Sequence, residues 1–126
     1  NPEKKVVAVV GDGGFMMNSQ ELETAIRLKL NLTIIILNDS GYGMIKWKQQ
    51  NMNFKNFGLD FNNPDFVKYA QSYGAYGYQI KKQDNFKEKV NEIINMKGIK
   101  IFDVPIDYSN NKNVLFEDLK KINCKK

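Results

Sequence analysis

Two short apolar runs, rich in β-branched residues and each ending in a polar turn, constrain the fold of this chain most strongly. The first covers residues 6–10 and ends at Gly11, and the second covers residues 32–37 and ends at Asn38. Continuous apolar runs of this length are typical of strands buried on both faces of a parallel sheet. Between them, polar capping residues and a helical spacing of apolar side chains predict a helix over residues 19–30. A strand, a helix and a strand in this order predict a right-handed βαβ unit.

The rest of the chain continues to alternate between helical and extended patterns. The predicted elements begin with a short helix over residues 44–50, an irregular stretch over 51–63 and a helix that starts at Asn63-Pro64-Asp65 and ends at Gly74. They continue with a strand over residues 76–80, a helix that begins at Asp84 and a strand over 99–104 that ends before Pro105. In the helix that begins at Asp84, the side chains expected to point inward are those of Phe86, Val90, Ile93 and Ile94. This alternation predicts a doubly wound α/β fold, with a mostly parallel sheet and helices on both faces. We expect residues 1–126 to form a single domain, with a C-terminal tail over residues 107–126.

The composition excludes several chemistries. The 126 residues include no histidine, so this chain cannot supply a Ser-His-Asp triad or a His-ligated zinc site. The net charge of +5 rests on lysines, with Arg27 the single arginine, which favours a solvated surface over a nucleic-acid interface. The single cysteine, Cys124, predicts a reducing compartment, the cytoplasm, although an organellar targeting peptide would be read upstream of residue 1. No apolar run is long enough to predict a membrane span.

A glycine-rich segment, Gly11-Asp12-Gly13-Gly14, directly follows the first predicted strand, in a loop predicted over residues 11–17. In open α/β sheets, ligands bind beyond the carboxyl ends of the strands, and glycines there let a phosphate approach the main chain closely. The Asp12 carboxylate would repel a phosphate unless a divalent cation lay between them, so it indicates a diphosphate bridged by Mg²⁺. The segment lacks the third glycine of a dinucleotide-binding loop and the lysine of a P-loop. A plain tight turn is the alternative.

A second polar turn begins at Asn38, after the second predicted strand. Because the carboxyl ends of consecutive parallel strands share one edge of a sheet, Asp12 and Asn38 are expected to converge. Mg²⁺ prefers hard oxygen ligands, few of them from protein and the others from phosphates and water. The Asp12 carboxylate, the Asn38 amide oxygen and one main-chain carbonyl would supply the protein's share. A lone asparagine after a strand is more often only a turn residue, so the two turns are informative together.

The two turns carry a recognisable motif. Gly11-Asp12-Gly13 followed by Asn38 after 24 intervening residues resembles the thiamine-diphosphate binding signature of the thiamine-dependent enzymes. The surrounding residues 11–28, 38–45 and 102–109 are similar to those of the acetolactate synthase branch of that family. The resemblance extends over nearly the whole chain, from residue 6 to about residue 113.

The resemblance implies roles for individual residues. Family members hold Mg²⁺ through the motif aspartate, the motif asparagine and the main-chain carbonyl two residues later, which are Asp12, Asn38 and Ser40 here. The cofactor is then expected beside the two turns, in contact with Gly11, Gly13, Gly14, Tyr42, Gly43 and Met44. Ordinary packing under a loop is the alternative for Tyr42 and Met44. No catalytic residue is predicted in this chain, because the family's activating glutamate lies on a different domain.

The function that the resemblance implies is that of a thiamine-diphosphate-dependent acetolactate synthase. Such an enzyme decarboxylates pyruvate and joins the product to a second 2-keto acid, in branched-chain amino acid or acetoin metabolism. We expect this chain to be a fragment of a longer polypeptide, a homodimer or homotetramer when full length, whose pyrimidine-binding domain completes the site. The fragment alone is expected to be inactive. The alternatives are another thiamine-dependent 2-keto acid decarboxylase or oxidase, and a non-catalytic α/β diphosphate-binding module.

Overall fold

The computed structural model describes residues 4–108 of the chain. In chain order, the elements are β1 (Val6–Gly11), α1 (Asp12–Met17), a 3₁₀ turn (Ser19–Glu21), α2 (Leu22–Arg27), β2 (Leu32–Asn38), α3 (Gly43–Asn51), α4 (Phe66–Ser72), β3 (Tyr76–Gln79), α5 (Phe86–Ile94) and β4 (Ile99–Pro105). The tail predicted over residues 107–126, with Cys124, lies outside the described residues except for its first two. No helix in the described part is long and apolar enough to cross a membrane.

The four strands form one sheet in the order β1-β2-β4-β3, and every neighbouring pair is parallel. Parallel neighbours need a crossover between them, and the helices supply it. The predicted α/β class and the parallel sheet are therefore confirmed. Because all strands run in the same direction, the turns that follow β1, β2, β3 and β4 lie at one edge of the sheet.

The hydrophobic core lies around the two interior strands, β2 and β4. Five consecutive residues of β4, from Ile99 to Asp103, are buried, as a central strand of a parallel sheet requires. Phe15, Leu22 and Ala25 pack from the segment after β1, and Phe66 and Ala70 pack from α4. The core is completed by Ile34, Ile36, Ala75, Ile99 and Ile101.

The first strand differs from its prediction. Residues 6–10 were expected to be buried on both faces, but Val6, Val7 and Val9 are 53%, 43% and 60% exposed. The reason is the topology, since among residues 4–108 β1 is at the edge of the sheet and pairs with β2 alone. The apolar run therefore predicts the position of the strand correctly, but it wrongly predicts that both faces of the strand are buried.

Two further predictions in the first half of the chain, a loop and a helix, also need correction. The loop predicted over residues 11–17 is a short helix from Asp12, α1. The helix predicted over residues 19–30 is a 3₁₀ turn followed by α2, which ends at Arg27. It ends early because Lys29 adopts a left-handed backbone conformation, with φ of 51°, which terminates a helix.

In the second half, α4 starts at Phe66, two residues after the Pro64 predicted in its first turn, and the cap of α5 is shifted by one residue. Asp65 caps α4, since its Oδ1 accepts from the main-chain N–H groups of Val67 and Lys68 at 3.0 Å each. The cap of α5 is Asn85 rather than Asp84. Phe86, expected to point inward, is 43% exposed because it is the first residue of α5, whereas Ile93 near the other end of the helix is buried.

Lys100 on β4 gives a prediction about stability. Its side chain is 1% exposed, and its Nζ donates to Asn31 Oδ1 at 2.5 Å and to the Met96 carbonyl at 2.8 Å, with no carboxylate in contact among the described residues. Burial, and to a smaller extent the nearby Lys5, lowers the pKa of Lys100. We expect Lys100→Met to raise the free energy of unfolding at pH 7 by about 1–2 kcal/mol, because burying this charge is costly.

The pH dependence of that gain follows from the lowered pKa. Between the folded-state pKa of Lys100 and the ordinary value of 10.5, the unfolded chain binds more protons than the folded one. The wild type therefore gains stability relative to Lys100→Met as the pH rises through this window. Urea unfolding of both proteins from pH 7 to pH 10.5 measures the difference, and a constant or growing advantage of the variant would contradict this account.

Candidate functional site

The glycine-rich turn after β1 and the polar turn after β2 lie side by side at the carboxyl edge of the sheet. Gly11 at the end of β1 pairs in register with Leu37, the residue before Asn38. Asp12 is the first residue of α1 and is buried, with 1% of its surface exposed. Its Oδ1 accepts a hydrogen bond from the Gly13 N–H at 2.9 Å, which orients the carboxylate.

The side chains of Asp12 and Asn38 converge on a single atom. Asn63 Nδ2 donates to Asp12 Oδ2 at 2.6 Å and to Asn38 Oδ1 at 2.9 Å. The structure therefore brings together the two side chains that the sequence proposed as cation ligands. Asn63 was predicted only as part of a helix start, and its place between the two oxygens was not foreseen.

Asn38 is held from its other side by the next strand in the sheet. Its Nδ2 donates to Asp103 Oδ1 at 2.8 Å, and Asp103 Oδ2 accepts from Gln79 Nε2 at 2.7 Å. Asp103 is only 3% exposed and lies in register with Gln79 on β3 and Ile36 on β2. Because the Asn38 amide nitrogen is occupied by Asp103, its oxygen is turned toward Asn63, which also contacts Asp12. Asp103 is a second residue that sequence reasoning missed.

Ser40, the third proposed ligand, lies in a strained turn. Its backbone has φ of 53°, a left-handed conformation that is uncommon for a serine. Its N–H donates to Asn38 Oδ1 at 3.2 Å, and its carbonyl accepts from the Phe61 N–H at 3.2 Å. A carbonyl oxygen has two lone pairs, so this bond leaves one of them for another partner.

The segment that carries Asn63 is attached to the second turn by main-chain hydrogen bonds. The Tyr42 N–H donates to the Leu59 carbonyl at 2.9 Å, next to the bond from Phe61 to Ser40. Gly41 and Asp60 form an isolated antiparallel bridge in the same place. The irregular stretch predicted over residues 51–63 is thus partly a third wall of the site, and Asn63 stands at its end.

The carboxylate of Asp39 adds negative charge close to Asp12. Burial raises the pKa of Asp39, and the adjacent Asp12 carboxylate raises it further. Tyr108 packs beside this pair, and burial followed by the charges of Asp39 and Asp12 raises its pKa as well. Gly43 is tightly enclosed here, since a Cβ at this position would collide with Asp39 Oδ2 and approach the Tyr108 ring to 3.3 Å. The concentration of carboxylates suits a site that receives a cation.

Most of the remaining predicted residues line a cleft of about 320 Å³ between the two turns. Its predicted members are Gly11, Asp12, Gly13, Gly14, Tyr42, Gly43 and Met44, and it also includes Leu37, Asp39, Gly41, Ile45 and Tyr108. A second, more polar cleft of about 530 Å³ is lined by Asn38, Ser40, Asn63, Gln79 and Asp103. Asn38 and Ser40 therefore line the larger cleft, whereas Asp12 lines the smaller one.

The three glycines of the turn after β1, Gly11, Gly13 and Gly14, differ in their surroundings. A Cβ at Gly13 would lie 2.8 Å from Tyr42 Cε1 and 3.4 Å from Phe61 Cζ, whereas a Cβ at Gly11 or Gly14 would meet nothing within 4 Å. Tyr42 and Phe61 pack edge to face, with ring centroids 5.0 Å apart, and together cover Gly13. Gly13 is thus required for packing, while Gly11 and Gly14 leave open space at the cleft.

This difference predicts opposite effects of alanine at adjacent positions. We expect Gly14→Ala to stabilise the chain by about 0.5–1 kcal/mol, because alanine loses less entropy than glycine in a helix. Gly13→Ala is expected to destabilise it by about 1–3 kcal/mol, because the Tyr42 ring must move. Urea unfolding of both variants measures the two signs. Equal effects at both positions would show that Tyr42 does not pack on Gly13.

Comparison with known proteins agrees with this geometry. The family described as "Thiamine pyrophosphate enzyme, C-terminal TPP binding domain" matches residues 1–104. An acetolactate synthase of Bacillus subtilis is 42% identical over 120 residues, which are 95% of this chain and 21% of that protein. A catabolic acetolactate synthase of Raoultella terrigena is 37% identical over 88% of this chain and 20% of its own length. An acetolactate synthase large subunit of Haemophilus influenzae is 38% identical over 86% of this chain and 20% of its own length.

The chain spans about a fifth of the length of these relatives. The family match covers β1, the two turns, Asn63 and Asp103, so it includes every residue of the site described above except Tyr108. The chain therefore belongs to the thiamine pyrophosphate enzymes, as a C-terminal TPP binding domain of the acetolactate synthase-like kind.

Proposed function

We propose that this domain holds the diphosphate of thiamine diphosphate through a Mg²⁺ ion bound by Asp12, Asn38 and Ser40. The observation that carries the proposal is the convergence of Asp12 Oδ2 and Asn38 Oδ1 on one point, 2.6 and 2.9 Å from the Asn63 nitrogen. A carboxylate oxygen, an amide oxygen and a main-chain carbonyl are the hard ligands that Mg²⁺ prefers. These three oxygen ligands therefore fit Mg²⁺, and the remaining coordination positions of the ion suit phosphate and water oxygens.

The residues of the smaller cleft would orient the cofactor. Gly11 and Gly14 leave open space where a diphosphate can approach the main chain. Tyr42, Gly43 and Met44 line the same cleft, with Met44 63% exposed as an apolar wall. When bound, thiamine diphosphate supplies the electron sink for 2-keto acid chemistry, and the protein supplies its position and electrostatic surroundings.

We further propose that the enzyme carrying this domain is an acetolactate synthase, acting on pyruvate and a second 2-keto acid. The support is the name shared by several relatives that match most of this chain. A full site would also need the pyrimidine-binding domain, from the same polypeptide or a neighbouring subunit of a homo-oligomer. A relative of Bacillus subtilis, 35% identical and called a putative thiamine pyrophosphate-containing protein, supports a second candidate, another thiamine-dependent decarboxylase or oxidase. Acetolactate as the product from pyruvate would favour the first candidate, and acetaldehyde or acetyl phosphate the second.

The binding part of the proposal is tested by calorimetry on the 126-residue chain. Thiamine diphosphate is titrated into the chain with Mg²⁺ and, separately, with EDTA, and thiamine without its diphosphate is the control ligand. We expect binding heat only when the diphosphate and Mg²⁺ are both present. Binding of thiamine diphosphate that EDTA leaves unchanged, or equal binding of thiamine, would contradict the proposal.

A further inference from the structure

The position of Asn63 is unusual for a residue beside a cation site. Its side chain places an NH₂ group, a donor, against both Asp12 Oδ2 and Asn38 Oδ1, one oxygen from each turn. Donors are repelled by cations, so this amide cannot keep its present orientation when a cation lies between the same two oxygens. The arrangement is that of a site closed by its own side chain.

The other end of the same amide is also informative. Asn63 Oδ1 is buried, and no hydrogen-bond partner for it exists among the described residues. A buried, unpaired carbonyl is costly, typically by about 1–3 kcal/mol. The amide nevertheless keeps this orientation because the two acceptors in front of it require a donor. A cation would remove that requirement.

The backbone on both sides of Asn63 is anchored by hydrogen bonds. Phe61 and Leu59 are hydrogen-bonded to Ser40 and Tyr42, and two residues after Asn63 the Asp65 side chain caps α4. A change at Asn63 can therefore be confined to rotation of its side chain. Such a rotation would turn Oδ1 toward the Asp12 and Asn38 oxygens, or withdraw the amide into the larger cleft that Asn63 also lines.

We propose that Asn63 is a cation substitute, which joins Asp12 to Asn38 in the metal-free chain and is displaced when Mg²⁺ binds. The inference rests on the proposed function, since it needs a cation between those two residues. It adds that the Asn63 contacts exist only in the metal-free state. By thermodynamic linkage, a contact that exists only without the metal lowers the affinity for the metal.

This proposal fixes the sign of a mutational effect. Removing a residue that supports a cation site in the bound state weakens cation binding, but removing a competitor strengthens it. We expect Asn63→Ala to bind Mg²⁺ about fivefold to tenfold more tightly than the wild type, as expected for the loss of hydrogen bonds to a charged acceptor in the free state only. In the absence of metal, the same variant should unfold at a lower temperature than the wild type, and the gap should narrow at saturating Mg²⁺.

The experiment is an NMR titration of the ¹⁵N-labelled 126-residue chain with MgCl₂ alone. In the wild type, the side-chain NH₂ signals of Asn63 should shift as the metal binds, and the main-chain signals of Gly13 and Ser40 give the Kd in every variant. Asn62→Ala is the matched control, because Asn62 is the exposed neighbour in the same cleft. Asn63→Asp is a second test variant, and it should also bind Mg²⁺ more tightly, because it replaces the donor with an oxygen.

The outcomes separate this inference from the proposed function. A Kd for Mg²⁺ that is unchanged or higher in Asn63→Ala and Asn63→Asp, with binding that still requires Asp12, would overturn the role of Asn63 and leave the proposed function standing. Tighter binding in Asn62→Ala equal to that in Asn63→Ala would also overturn it. An absence of Mg²⁺ binding in the wild type and in both Asn63 variants would overturn the proposed function together with the inference.

Discussion

Asp12→Asn is expected to weaken the binding of Mg²⁺ and thiamine diphosphate at least about 100-fold. Substituting a residue that only orients a metal ligand typically lowers the affinity for the metal about 10–100-fold, and substituting a ligand itself should lower it at least as much. Asp12 is the charged member of the proposed ligand set, and it is buried, with Oδ2 on the Asn63 nitrogen that also contacts Asn38. Asparagine keeps the size of the side chain but removes the charge that offsets the cation. The measurement is the calorimetric titration with thiamine diphosphate at fixed Mg²⁺.

The control for this prediction is Glu23→Gln, which also removes one negative charge without changing size. Glu23 is exposed on α2 and pairs with Arg27 on the surface, with N and O atoms 2.9 Å apart. The Glu23→Gln substitution should leave the Kd of the cofactor within about twofold of the wild-type value, because exposed charges far from the site are screened by solvent and salt. A Kd for Asp12→Asn within tenfold of the wild type would show that Asp12 is not a metal ligand.

Asp103→Asn is expected to weaken Mg²⁺-dependent cofactor binding about tenfold and to lower the free energy of unfolding by about 2 kcal/mol. The buried Asp103 carboxylate accepts from two amide groups, those of Asn38 and Gln79. An asparagine can accept from only one of them and must present its own NH₂ to the other. If Asn38 turns to accommodate it, the Asn38 oxygen no longer points toward Asn63, which also contacts Asp12.

A second substitution should restore the network. In Asp103→Asn combined with Gln79→Glu, the new asparagine can donate to the carboxylate at position 79 and accept from Asn38. Gln79 is exposed, so a carboxylate there remains hydrated at little cost. We expect the double variant to recover most of the cofactor affinity, whereas Gln79→Glu alone should not improve it. A double variant as weak as Asp103→Asn would show that Asp103 does not act by orienting Asn38.

The fold was largely predictable because its signals are local. The apolar runs before Gly11 and Asn38 and the run over residues 99–104 mark three strands within a residue or two of their observed ends. The burial of β1 was not predictable in this way, because an apolar run carries no information on which strand lies at the edge. The early end of α2 depends on the backbone of Lys29, which its residue type does not favour.

The site was predictable only where its residues stand directly after strands. Asp12 and Asn38 could be paired from the sequence, because the sheet edge determines where both must lie. Asn63 reaches the same place from the end of an irregular segment, through hydrogen bonds between main chains that leave no sequence pattern. Asp103 had a signal that could have been used, since a carboxylate inside an otherwise apolar strand must find buried donors.

Crystals of the chain grown with Mn²⁺ and thiamine diphosphate would test whether Asp12 and Asn38 hold a divalent cation against a diphosphate. Mn²⁺ replaces Mg²⁺ at oxygen-rich sites and is located by its anomalous scattering. We expect an anomalous peak about 2.0–2.2 Å from Asp12 Oδ2 and Asn38 Oδ1, with the diphosphate on the open side of the metal. A peak away from both residues, or an ordered diphosphate with no metal beside Asp12, would contradict it.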